Sequence, residues 1–373
     1  MLSTTTRAFG SPGRYIQGSG ELDRLQDYAK DYGTRIFAII DPFFYEDLQK
    51  KLTERFRKSD LQITCAAFQG ETTREELSRL TALASEACCE VVVGIGGGKT
   101  IDAAKYTGIH TDSAIIIAPT SASTDAPTSA LSVTYTAEGI HDETLYYKRN
   151  PDLILVDSKI IAQAPIRLLV SGMGDALSTY FEARAHFESN TANRIGTGYK
   201  TTLAGMAISE TCYKILLEDG LKAKLAAERG IVTEALENII EANTLLSGLA
   251  VECVGCAAAH SFNSGFSALP ACRSYTHGEI VAFGTLCQLV LENRSRDELQ
   301  TVLHFSSTIG LPITLADIGL QEVSEEDLRL VAERAAKAKH IVAEPVTVNA
   351  DILYEAILAA DAAGRYYQQH HTL

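Results

Sequence analysis

No stretch of this 373-residue chain approaches the roughly 18 charge-free apolar residues of a membrane-spanning helix. Met1 to Gly10 also lacks the apolar segment of a secretory signal, so the expectation is a cytoplasmic protein with no membrane partner. Basic clusters with interleaved aromatics are missing too. With 33 Lys and Arg against 47 Asp and Glu, the formal net charge of −14 repels polyanions and sets nucleic acid aside as a partner. There is no fixed-period repeat and no low-complexity linker. The eight cysteines are scattered and read as reduced or buried thiols rather than a disulfide framework. Cys253-Val-Gly-Cys256, followed by His260, has a spacing that could hold a metal or a redox dithiol. It has no second C-x-x-C and lies in an apolar helical stretch, so small-residue helix packing is the simpler reading.

What is present is enough apolar sequence, 46% of residues, to bury one large core or two ordinary ones; the length favours two domains. From Arg35 to Asp157 apolar strands alternate with helical patterns: strand 35–40, helix 43–56, strand 61–68, helix 73–88, then strands at 91–96, 114–118 and 152–157. This βαβ order implies a Rossmann-like parallel sheet with ligands at the carboxyl ends of its strands. Residues 130–136 and 144–148 suggest a hairpin across Glu138-Gly139. After Pro165 the apolar spacing becomes helical, over 167–184, 198–217, 221–250, 278–292 and 297–309. Ser324 and Asn349 are placed to cap two more helices. The expectation is an α/β domain over 1–164 and an all-α domain over 165–373, with a cleft between them.

The run Val91-Val-Val-Gly94-Ile-Gly96-Gly97-Gly98-Lys99-Thr100 reads as a strand entering a helix through glycines, which leaves bare amides for an anion. Dinucleotide G-x-G-x-x-G and Walker A spacings both nearly fit, and neither fits completely. The loop from Thr120 to Ser129, through Ser123 and Asp125, is rich in hydroxyls that suit ribose or phosphate, or a polar connection to the hairpin. Asp41, directly after the first strand, is placed to accept from an adenosine ribose, although it precedes the glycines by about 55 residues. A turn-forming Asp before Pro42 is the alternative. In the helical half, Asp175, His260 and His277 are ionisable groups on apolar helices. They could form a three-ligand metal site with an open position, or be hydrogen-bonded core residues.

These stretches, together with Gly172-Met-Gly-Asp175-Ala-Leu, Ala258-Ala-His260 and Thr276-His277-Gly-Glu-Ile-Val-Ala-Phe-Gly-Thr-Leu, run in order over nearly the whole chain. The sequence resembles the NAD-dependent glycerol dehydrogenases of the metal-dependent, iron-containing-type alcohol dehydrogenase superfamily. The resemblance implies an N-terminal nucleotide domain, a helical domain, and homo-oligomeric assembly, an octamer in that family. It implies a metal at Asp175, His260 and His277. It implies NAD at Asp41, Gly96, Gly97, Gly98, Lys99, Asp102, Thr120, Ser123, Ser129, Leu131 and Tyr135. Asp125, with His260, would meet a small polyol substrate and so counts with the three metal ligands as catalytic. The iron-binding branch adds a His one turn after the metal-binding Asp; here Thr179 stands there, which favours Zn2+ over Fe2+.

The chain departs from that pattern at Asn263, where a second His is common, at Ile280, where Gly-Glu-Lys is usual, and around Cys253 to Cys256 in place of Gly-Gly. A sugar-phosphate cyclase or glycerol-1-phosphate dehydrogenase would share the two-domain plan. Between Ala242 and Asn293, however, Arg273 is the sole Lys or Arg, a poor phosphate site. A P-loop hydrolase is weakened by the short glycine spacing, and a non-catalytic NAD or metal sensor would need no open metal position.

Overall fold

The apolar runs of the N-terminal half pair as parallel strands, in a computed structural model that describes residues 5–196 and 198–373. Met1 to Thr4, part of the N-terminal stretch considered above, and Thr197 lie outside the described residues. The strands are β1 (Arg14–Gly18), β2 (Arg35–Ile40), β3 (Gln62–Ala67), β4 (Val91–Gly96), β5 (Ala114–Pro119), β6 (Leu131–Tyr135), β7 (His141–Tyr146) and β8 (Leu153–Asp157). Six of them form one sheet in the order β1-β8-β5-β4-β2-β3, every neighbour parallel. β4 and β8 are buried along their whole length, as a sheet covered on both faces requires. The expected α/β architecture with a helical C-terminal region is therefore what the chain adopts.

The connection after β2 runs through helix Tyr45–Phe56 to β3 on one side, while that after β4 runs through helix Gly98–His110 to β5 on the other. The carboxyl ends of β2 and β4 are thus a topological switch point, where an open α/β sheet forms its binding crevice. This explains how Asp41 comes to the glycine loop despite its distance in sequence. Ile40 pairs with Ile95, and the Asp41 amide donates to the Ile95 carbonyl at 2.8 Å.

Sequence patterning misses β1, whose residues are exposed or only partly buried and carry little apolar periodicity. β8, last in the chain, is consequently internal, flanked by β1 and β5. β6 and β7 form the expected antiparallel hairpin, but a bulge between Thr134 and Tyr135 shifts the register, so β7 enters at His141 rather than Thr144. In the helical half the expected break between residues 217 and 221 is absent. Helix Leu203–Ala227 continues through Gly220, where the missing side chain admits the ring of Phe305. The chain turns instead at Gly230, whose φ of +64° is left-handed, before helix Glu234–Glu241. Ser324 and Asn349 cap helices Glu325–Lys337 and Ala350–His370 as expected. Among the described residues no single helix is long and apolar enough to cross a membrane.

One buried cluster extends from the β4 and β5 face of the sheet into the helices, through Met173, Phe181, Phe262 and Phe283. Within it, helix Ile166–Ser189 crosses helix His277–Leu291 at bare backbone. A Cβ on Gly278 would lie 1.8 Å from the Ser171 carbonyl oxygen, and one on Gly174 would lie 2.4 Å from the Gly278 carbonyl. Helix Ala258–Phe266 approaches in the same way: a Cβ on Gly284 would lie 2.5 Å from the Ala259 carbonyl oxygen. We expect Gly278→Ala to force the first two helices apart and cost about 1–3 kcal/mol by overpacking, read as a lowered midpoint of chemical unfolding. An unchanged midpoint would show that the crossing is not tight.

Candidate active site

The three close helix approaches set side chains from three helices against one another. Asp175 stands next to Gly174, His277 next to Gly278, and His260 next to Ala259. The Asp175 Oδ1 lies 3.2 Å from His277 Nε2 and 3.5 Å from His260 Nε2, and all three ligand atoms fall within 4.8 Å. Both carboxylate oxygens of Asp175 are buried with no hydrogen-bond donor. Burial alone would raise its pKa, but His277 and His260 hold it well below the usual carboxylate range. Two imidazoles and an otherwise orphaned carboxylate, converging on one point, could hold a divalent ion and leave a position open.

The surroundings orient these ligands. Glu182, two turns after Asp175 on the same helix, accepts from His260 Nδ1 at 2.8 Å and from the amides of Ala257 and His260 at 2.7 and 3.0 Å. That leaves His260 Nε2 for the metal side, the arrangement in which a carboxylate fixes a ligand's tautomer. Burial opposes charge on His260, yet Cys256, Glu182 and Asp175 push its pKa well above the ordinary imidazole value. A positive charge is therefore favoured at this point even from the protein's own groups. His277 opens its helix inside a capping box, in which Thr276 accepts from the Glu279 amide and the Glu279 carboxylate accepts from the Thr276 amide. Arg167 holds Glu279 through two 2.7 Å bonds. The sequence reading missed Glu182; its spacing of seven from Asp175, two helical turns on one face, was the available signal.

Across the cleft, Gly97 begins helix Gly98–His110 with no side-chain cap, and a Cβ at Gly97 would meet nothing within 4 Å. Its amides face open space. Gly94 and Gly96 serve packing instead, their missing methyls being replaced by Ala104 on one side and by Thr100 and Asp41 on the other. Asp41 takes the turn-forming role and also lies beside the glycine loop. Its Oδ1 accepts from the Phe43 amide at 3.0 Å, closing the turn, while Oδ2 accepts from Thr100 at 3.3 Å beside the glycine loop. Thr120 donates its amide to the Gly96 carbonyl, which seats the hydroxyl-rich loop against the glycines. Ser123 exchanges a hydrogen bond with Ser121. Lys99 pairs with Glu71 at 2.6 Å and lies 5.2 Å from the centre of the Tyr135 ring. Leu131 opens β6 at the rim of the same face.

Two of the residues expected at the nucleotide turn inward. The Asp102 carboxylate accepts from the buried Lys105 ammonium at 2.9 Å and from the Val133 amide at 2.9 Å. Ser129 spends its hydroxyl on Lys105 and the Ala126 carbonyl. Lys105 thereby ties helix, loop and hairpin into one rigid unit. Asp125 sits in that loop close enough to Asp175, His260 and His277 to feel their charge. Asn263 lies one turn beyond His260 and only partly buried, and Ile280 is a core residue. Cys253 ends helix Ser247–Cys253 while Cys256 lies beyond it in the following loop, so the two are not packed on one helix as expected.

The iron-containing alcohol dehydrogenase family matches residues 12–158. Over nearly its full length the chain is similar to glycerol dehydrogenases. It is 46% identical to that of Escherichia coli O6:H1, covering 97% of this chain and 99% of the relative, and 45% identical to that of Thermotoga maritima, covering 98% of each. This chain belongs to the iron-containing alcohol dehydrogenase family. Membership makes it an NAD- and metal-dependent alcohol dehydrogenase. Among solved structures, a probable glycerol dehydrogenase from Sinorhizobium meliloti superposes with a TM-score of 0.91 at 46% identity, covering 97% of this chain and all of that one. The Schizosaccharomyces pombe glycerol dehydrogenase gives 0.92 at 35% identity, covering 99% and 93%.

In this dehydrogenase Glu182→Gln should leave the helical spectrum intact and weaken divalent-ion binding roughly 10- to 100-fold, measured by competition with a chelator. Unchanged affinity would remove Glu182 from the support of His260.

Proposed function

We propose that the chain oxidises glycerol, or a closely related vicinal diol, to the corresponding hydroxyketone (dihydroxyacetone from glycerol), with NAD as acceptor and zinc at Asp175, His260 and His277. The observation that carries this reading is the buried, donor-less Asp175 carboxylate beside two histidines, with Asp125 near them on a loop that is bonded to the glycine turn. Zinc over iron is supported by Thr179, which occupies the position one turn after Asp175 and spends its hydroxyl on the Ala176 carbonyl. A divalent ion held there would lower the pKa of the substrate hydroxyl, as it lowers that of water from 15.7 to about 7, and the nicotinamide would accept the hydride.

The protein's own part is placement. Glu182 engages His260 Nδ1 and so turns Nε2 toward the ion, and the Arg167–Glu279 pair fixes the first turn that carries His277. The Lys105 tie holds the loop that presents Asp125, whose carboxylate accepts a hydrogen bond from the neighbouring hydroxyl of the diol and so selects vicinal diols. The proton released from the substrate leaves to water. We place the enzyme in the cytoplasm, a reading supported by eight free thiols among the described residues. We read the assembly as homo-oligomeric, supported by exposed apolar side chains such as Phe43 and Leu203, at 86% and 71% exposure; light scattering of the purified protein tests it.

NADH formation with glycerol and 1,2-propanediol, followed before and after chelation and on adding back Zn2+ or Fe2+, tests the whole reading. Turnover of neither diol by metal-loaded protein would sink it; restoration by iron alone would sink zinc. Burial, and then the charge of Asp175, push the Asp125 carboxyl up to about 6, against smaller opposing effects of His260, His277 and Arg194. Its accepting, ionised form is lost as pH falls through that value, so kcat/KM for diols should decline below about pH 6. Asp125→Asn should lower kcat/KM by roughly ten- to a hundred-fold, the worth of a hydrogen bond to a charged group, and lose that acidic limb. A limb that survives the substitution would assign it to another group.

A further inference from the structure

Asn193 and Arg194, which follow helix Ile166–Ser189, are pinned by hydrogen bonds to three other parts of the chain. The Asn193 side chain donates to the Ala8 and Lys200 carbonyls, and the Arg194 amide donates to the Glu252 carbonyl. Between these anchors Arg194 carries its guanidinium to the metal side of the cleft. Nη1 donates to Cys256 Sγ at 3.0 Å, and that sulfur lies within 4.8 Å of the His260 and Glu182 ligand atoms. Nη2 donates to the Tyr146 hydroxyl at 3.4 Å. Neither acceptor is a carboxylate: one is a sulfur and the other a long contact. Among the described residues no carboxylate comes within ion-pair distance of Arg194. Asp125 is near enough to influence its charge without pairing with it.

A cation in a partly buried cleft without a directly paired carboxylate is costly, and a guanidinium with spare donors is shaped for a planar carboxylate. A single guanidinium matches the single charge of a carboxylate better than a phosphate dianion. We infer that Arg194 lets this cleft take a small hydroxy acid, a substrate carrying one carboxylate beside its hydroxyl carbon, as well as the uncharged diol. This rests on the dehydrogenase reaction proposed above. The hydroxyl carbon gives its hydride to the oxidised nicotinamide, the hydroxyl loses its proton to water, a carbon–oxygen double bond forms there, and the carboxylate passes through unchanged. Asp125 receives the remaining hydroxyl while Arg194 receives the acid.

The test compares glycerol with D- and L-glycerate, and with glycerol 3-phosphate, in the metal-loaded enzyme and in the Arg194→Met and Arg194→Lys variants. Calorimetric binding of each anion in the absence of NAD gives a second readout. The native enzyme should oxidise and bind one glycerate enantiomer. Arg194→Met should lower the ratio of kcat/KM for glycerate to that for glycerol about a hundred-fold, with Arg194→Lys recovering part of it. Glycerol turnover without any glycerate turnover or binding would overturn the inference and leave the diol reading standing. A ratio unchanged by Arg194→Met, whatever happens to the absolute rates, would reduce the residue to a scaffold and also overturn it. Preference for glycerol 3-phosphate would overturn the carboxylate in favour of a phosphate. Absence of glycerol turnover would instead count against the diol reading itself.

Discussion

A carboxylate whose two oxygens are sealed from water and given no donor must be met by positive charge, and Asp175 is in that position. Much of the helical half is arranged around meeting it. Three helices approach to backbone contact at Gly174, Gly278 and Gly284, because only there can two imidazoles reach one carboxylate from different directions. Small residues at these crossings do not merely fill space; they set the separation of the ligands. Glu182 then fixes which nitrogen of His260 faces Asp175, so one buried acid meets the imidazoles and another aims one of them.

The other wall of the cleft obeys a different constraint. A parallel sheet whose connections diverge after β2 and β4 must leave a crevice at those strand ends, and the open amides at Gly97 and Gly98 occupy it. Around that opening most polar groups are already committed to one another. Asp102, Lys105 and Ser129 hold the loop and the hairpin to the helix, so polar groups beside the glycine turn serve to keep it rigid. Arg194, by contrast, keeps donors to spare and lies on the side of the three ionisable residues.

Periodicity made most of this fold legible. Buried strands such as β4 and β8 and the capped helices after Ser324 and Asn349 follow from local pattern, because each must hide an apolar face or satisfy its first amides wherever it ends up. β1 did not show itself, since its residues are never fully buried and its place depends on pairing with β8, far away in the chain. Gly220 misled for the converse reason. A glycine in isolation suggests a break, whereas here it makes room for Phe305, and the real turn is at Gly230.

By itself the sequence determined the α/β order, the change to helices near Pro165, the glycine turn, and the identity of the three ionisable residues that apolar helices would otherwise exclude. It could not say whether Asp175, His260 and His277 meet, because residues a hundred positions apart converge only through helix crossings whose angles and depths are set by packing. It also could not separate Asp102, which turns inward, from Asp125, which meets the cleft. Burial and partnership are properties of the folded neighbourhood, and the same carboxylate is a brace or a substrate contact according to which cation and which amides the tertiary structure sets beside it.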